Sequence, residues 1–159
     1  MTQSLPSVLF VCTGNICRSP TAHALLLHKA AALGLVVHTD SAAVTEEEIG
    51  NPPDRRALQE LRRRGVPMPA HRARQVQARD FTQFDLVLGM TAAHVRALQR
   101  MAPAHATARI DLLMRYAEDE NPIDVPDPWY GGPQDFIEAF DMIEAGVEGV
   151  LARRGRLPR

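Results

Sequence analysis

Cysteine is scarce: the chain has two, Cys12 and Cys17, five residues apart, with no Cys-x-x-Cys spacing and no Cys/His pair close by. Two ligands do not complete the usual four of a structural zinc. His23, His28 and His38 are scattered, so no metal and no cofactor is expected. A surplus of charge is also missing, since 18 Lys+Arg against 19 Asp+Glu leave −1, which gives no general pull toward nucleic acid or an anionic membrane. The runs RRR at 62–64 and RRGR at 153–156 read as a solvated helix face and tail, short of a nucleic-acid surface. No apolar stretch approaches the length of a membrane span. The first seven residues lack the basic flank and cleavage site of a leader. Two free thiols in that context fit a reducing cytosol, so a cytoplasmic location is expected. No internal repeat, low-complexity tract or linker divides the 159 residues, and residues 1–159 read as a single domain.

What is present is a sequence of short strands and amphipathic helices. VLFV over 8–11 is a continuous apolar run, as in a strand buried on both faces. Ser19 followed by Pro20 reads as a helix cap and first-turn proline, with a helix over 20–33 stopped at Gly34. LVVHTDSA (35–42) reads as a second strand, and 53–64 as a helix closed by Gly65. FDLVLGM (84–90) is a third strand, followed by a helix capped at Thr91; ARIDLLM (108–114) is a fourth strand. Phe136, Phe140, Ile143, Val147 and Val150 share one face of a final helix. This alternation predicts an α/β fold with four mostly parallel strands and helices on both faces. Ligands in such folds bind outside the carboxyl ends of strands. The segment 12–19 leaves the first strand at such an end, whereas the proline-rich stretch 121–133 reads as a long loop or lid.

Both cysteines lie in that favourable segment, VCTGNICRSP. They are not spaced as a dedicated redox motif, although a loop can bring them together in a reversible disulfide. A nucleophile accounts for more of the residues. An attacking thiol must ionise, and positive charge together with helix-end amides promotes this. The same amides form an anion cradle, Arg18 offers a planar fork to two phosphate oxygens, and Gly14 is expected to supply an unusual backbone turn. These parts place a thiolate beneath a bound phosphoryl group.

VCTGNICRSP resembles the active-site loop of the low-molecular-weight protein tyrosine phosphatases. The resemblance continues through DSAA (40–43), IGNPPDRR (49–56), HRARQV (71–76) and DPWYG (127–131), in the family's order. It implies a four-stranded parallel sheet with flanking helices and a metal-independent hydrolysis of phosphotyrosine in proteins through a phosphocysteine, releasing inorganic phosphate. In that scheme Cys12 is the nucleophile, Arg18 and the amides from Thr13 to Ser19 hold the phosphoryl oxygens, and Asp127 is the acid and then the base. Ser19 hydrogen-bonds the Cys12 sulfur. Asn15 braces the loop with His71 and Ser41. Ile16, Cys17, Glu47, Trp129 and Tyr130 complete the substrate site. Apart from the resemblance, Cys17 reads either as a small loop residue or, five residues from Cys12, as a thiol expected to trap a sulfenic acid there as a disulfide.

One branch of the family removes phosphate from arginine and carries threonine where this chain has Ile16; the larger apolar side chain favours an aromatic ring. An arsenate-reducing relative needs cysteines downstream, and none follows Cys17. Glu47 stands where many members carry an aromatic residue. A phosphate- or phosphoprotein-binding module without catalysis is the remaining alternative, but binding alone requires neither a thiolate nor an acid.

Overall fold

The computed structural model describes residues 5–117 and 123–157. Four strands, β1 (Val8–Cys12), β2 (Thr39–Ala43), β3 (Leu86–Gly89) and β4 (Arg109–Leu112), form one sheet in the order β2-β1-β3-β4, with every pairing parallel. The helices are α1 (Arg18–Ala32), α2 (Arg55–Arg63), α3 (Asp80–Gln83), α4 (Ala92–Met101) and α5 (Pro133–Arg153). Strand order runs outward in both directions from β1. The loop leaving β1 therefore opens at the switch point, where a parallel sheet leaves a crevice.

Alternation along β1 divides the core between the two faces. Val8 and Phe10 join the apolar cluster of α1 and α5, whereas Leu9 and Val11 join Phe81, Phe84 and Leu98 on the opposite face. The predicted stripe of the final helix is buried throughout, with Phe136, Phe140, Ile143, Val147 and Val150 at most 3% exposed. Gly149 lets α5 approach the turn after β4 closely, since a Cβ there would overlap the Tyr116 carbonyl.

Three expectations require correction, and one element was missed. Ser19 is not a cap: α1 begins at Arg18, its N-cap is Cys17 without a side-chain bond, and Ser19 lies inside the first turn. The second strand begins at Thr39, not at 35. Leu35 N–H instead closes the end of α1 on the Ala30 carbonyl beyond Gly34 (φ 71°), and Val36 is 93% exposed. β4 ends at Leu112 and passes into a 3-10 turn, Leu113–Tyr116. The short α3 is absent from the pattern read from sequence. Of the stretch 121–133, residues 121–122 lie outside the described residues, and a 3-10 turn occupies Pro128–Tyr130. Thr91 caps α4 as expected, and Asp54 caps α2 through the N–H groups of Arg56 and Ala57.

Candidate active site

β1 ends at Cys12, 3% exposed, and the chain then turns through residues 13–17 into α1. The left-handed residue of this turn is Asn15 (φ 62°), not Gly14 as the sequence reading expected. Asparagine tolerates that region because its short polar side chain bonds locally. Here Asn15 is fully buried, its Nδ2 donates to Ser19 Oγ (2.9 Å), and its Oδ1 accepts from the Arg74 N–H (3.1 Å). Gly14 matters for space instead, since a Cβ would sit 3.0 Å from Glu48 Cγ.

Two groups of Ser19 converge on the Cys12 sulfur: Oγ at 3.0 Å and the backbone N–H at 3.4 Å. Placing serine one step inside α1, rather than at its cap, points the hydroxyl back at the strand end. Among the described residues, no acceptor takes the N–H groups of residues 14–18. Unpaired amides at the start of a helix constitute an anion site.

Arg18 is 5% exposed. Its Nη1 donates to the Val125 carbonyl (2.9 Å), while Nη2 lies 3.4 Å from Thr13 Oγ1 and 3.6 Å from Asp127 Oδ2. Asp127 belongs to the opposite wall. Its Oδ1 accepts from the Trp129 N–H at 3.0 Å, which caps the 3-10 turn and leaves Oδ2 free to face the cleft. That turn is docked by Arg56, which donates to the Trp129 carbonyl (2.9 Å) and lies 5.0 Å from the centre of its ring.

Cys12 and Asp127 line one cleft of about 280 Å³. Thr13, Gly14, Ile16, Cys17 and Arg18 form its floor and near side, and Glu47, Glu48, Trp129 and Tyr130 form its rim. Trp129 is partly exposed and Tyr130 almost wholly so. A larger hollow of about 820 Å³ lies along α5, lined by residues such as Met114, Met142 and Gly149, away from the cysteine loop.

Cys17 points into apolar surroundings that push its thiol far above the usual range; Cys12, Asp54 and Asp127 add to this and Arg18 opposes it. Cys17 is thus held protonated. His71 Nε2 lies 3.3 Å from the Asn15 carbonyl, and because a carbonyl only accepts, the proton is on Nε2. Burial lowers the His71 pKa despite that bond and the nearby Asp40. Ser41 does not join this brace: its Oγ is buried and has no hydrogen-bond partner.

His94, on α4, also touches the loop. Thr91 N–H donates to His94 Nδ1 (3.2 Å), so the ring proton sits on Nε2, which lies 2.9 Å from Thr13 Oγ1. Burial, reinforced by Arg18, lowers its pKa to about 4, against the pull of Asp124 and Asp127. The available signal was the Thr-x-x-His box just past β3, at the same end of the sheet as the cysteine loop.

A thiol at the end of the first strand, beneath a helix N-terminus and between an arginine and a carboxylate, is the arrangement of a cysteine-dependent phosphatase. The chain belongs to the low molecular weight phosphotyrosine protein phosphatase family, whose model matches residues 7–156. It is 43% identical over 148 residues to the low molecular weight protein-tyrosine-phosphatase YfkJ of Bacillus subtilis, covering 92% of this chain and 94% of that one. The human low molecular weight phosphotyrosine protein phosphatase is 41% identical over 144 residues, covering 88% and 90%. The crystal structure of YfkJ superposes with a TM-score of 0.86 at 41% identity over 96% of each chain. That of a Drosophila arginine phosphatase gives 0.87 at 32% identity, over 92% of this chain and 96% of that one.

Proposed function

We propose that this protein hydrolyses phosphotyrosine in protein substrates through Cys12. The observation that carries the reading is the placement of Cys12 Sγ, an unpaired set of loop amides and Asp127 in one cleft. Sulfur attacks phosphorus in line with the departing phenol oxygen. The S–P bond forms as the P–O bond breaks, and Asp127 gives its proton to the phenolate. The loop N–H groups and Arg18 hold the equatorial oxygens while charge spreads over them. A water then attacks the phosphocysteine, Asp127 takes its proton, and sulfur leaves with inorganic phosphate as product. Ser19 stabilises the negative sulfur at that point through the two contacts already described.

The geometry supports further roles in this reading. Asn15 and His71 fix the loop, Thr13 links Arg18 to His94, and Trp129 walls the cleft. Ile16 on the lining offers apolar contact to a phenyl ring, which favours tyrosine over arginine as the phosphate carrier. Glu47 and Glu48 make the rim acidic, so basic residues beside the phosphotyrosine fit better than acidic ones. The family match over most of the chain supports reading residues 1–159 as one such domain. No helix among the described residues is long and apolar enough to cross a membrane; the two free cysteines support a reducing, cytoplasmic setting.

The experiment is a comparison of kcat/KM on peptides of one sequence carrying phosphotyrosine or phosphoarginine, in EDTA and reductant. The phosphotyrosine peptide is expected to be preferred, and more so with basic flanks. Preference for phosphoarginine would replace the substrate assignment, and turnover of neither would leave a binding module.

A further inference from the structure

His23, Asp40 and His71 are far apart in the chain, on α1, on β2 and at the start of the 71–76 segment, but their ligand-capable atoms lie within 4.8 Å of one another. We propose that these three side chains form a binding site for a divalent late transition-metal ion, Zn²⁺ by ligand type, behind the cysteine loop. The proposal is independent of the phosphatase reading.

The strongest observation is His23. Its side chain is 9% exposed, its Nδ1 has no hydrogen-bond partner, and Asp40 Oδ1 lies 4.0 Å away. A buried ring nitrogen aimed at a carboxylate without bonding it leaves a donor position open. His71 supplies the second nitrogen. Its Nε2–H is committed to the Asn15 carbonyl, which leaves the Nδ1 lone pair for an ion. Metal-bound histidines usually donate their other N–H to such an oxygen, which fixes the tautomer.

Asp40 supplies the anion. Its Oδ2 accepts from Arg74 (3.2 Å) and its Oδ1 from the Ser41 N–H (2.8 Å), and a carboxylate retains lone pairs beyond these. Arg74 is itself answered by buried Asp80 at 2.9 and 3.0 Å. Two carboxylates against one guanidinium leave a net charge of −1 beside the histidines. Zn–N and Zn–O bonds of about 2.0–2.2 Å set ligand atoms roughly 3.3 Å apart. The ligand atoms, now within 4.8 Å of one another, would have to draw in to that separation when the ion binds. Three protein ligands leave a fourth position for water. The ion would clamp α1, β2 and the His71 segment together, on the residue that holds Asn15.

The test uses the full chain with Cys12→Ser and Cys17→Ser, so that thiols cannot bind metal. Co²⁺ and Zn²⁺ are added to this protein and to the same protein with His23→Gln. Expected are one equivalent of Co²⁺ with the visible absorption of a four-coordinate N/O site, displacement by Zn²⁺, and a Zn²⁺-dependent rise in Tm. His23→Gln removes a direct ligand and should weaken binding by at least about a hundredfold, the upper end of the loss for partners one shell further out, while its Tm in EDTA stays that of the parent. If His23→Gln fails to fold, His71→Gln provides the same comparison. No binding by the parent, or binding unchanged by the histidine substitutions, would overturn the proposal.

Discussion

Ser19 Oγ lies 3.0 Å from Cys12 Sγ across the turn between β1 and α1, and the Ser19 N–H points at the same sulfur. A hydrogen bond to a charged group contributes about 1.5–3 kcal/mol. Ser19→Ala should therefore lower kcat roughly ten- to a hundredfold, with a smaller change in KM. The slowed step is release of sulfur from phosphorus, so the variant should accumulate more phosphoenzyme at steady state. Rapid-quench measurement of that fraction checks it. An unchanged kcat would remove Ser19 from the sulfur's chemistry.

Asp127 stands on the far wall with Oδ2 facing Arg18 at 3.6 Å. General acid catalysis contributes about 10²–10⁴-fold, and its contribution grows with the basicity of the leaving oxygen. Asp127→Ala is expected to slow phenyl phosphate far more than p-nitrophenyl phosphate, whose leaving group departs as a stable anion. Equal losses on the two substrates would assign Asp127 a binding role only.

His94 holds Thr13, and Thr13 also lies beside Arg18. One neutral hydrogen bond is worth about 1 kcal/mol, so His94→Ala should lower kcat about fivefold. His94→Gln, which keeps an N–H donor, should recover most of it, whereas a purely packing role predicts no such rescue. The folded-state pKa of about 4 lies below the unfolded value of 6.5, so the unfolded chain takes up the proton first. The His94 contribution to stability is complete above pH 6.5 and is lost as pH falls toward 4, with each tenfold difference in proton binding worth about 1.4 kcal/mol. Denaturant midpoints in EDTA should fall less steeply over that window in His94→Gln. Parallel slopes would contradict the buried neutral histidine.

Much of the site was legible because it depends on local sequence. A strand, a turn and a helix start in immediate succession fix Cys12, Arg18 and Ser19 within one short segment. The misplaced features depend on tertiary contacts. Ser19 resembles a cap in isolation, but bonds to Cys12 and Asn15 draw it into the helix. Residues 35–38 have strand-forming side chains, but the Leu35 N–H is used to close α1. The left-handed turn falls on Asn15 rather than Gly14 because the Ser19 hydroxyl and the Arg74 N–H engage the asparagine side chain. His94 approaches Thr13 only through the pairing of β1 with β3.

Cys17 is buried and held protonated beside Cys12. Peroxide should convert the Cys12 thiol to a sulfenic acid with release of water, and condensation with the Cys17 thiol should then form a disulfide and a second water. After a peroxide pulse, dithiothreitol should restore most of the wild-type activity. Cys17→Ser should recover a much smaller fraction of its own starting activity, because its sulfenic acid oxidises further. Equal recovery in the two proteins would exclude Cys17 as the trap.

The most direct test of the account is rapid-quench mass spectrometry during turnover of p-nitrophenyl phosphate in EDTA and reductant. It predicts a phosphoryl group on the peptide containing Cys12 in the wild type, and neither that adduct nor turnover in Cys12→Ser. Turnover by Cys12→Ser, or a phosphoryl group on any other residue, would contradict it.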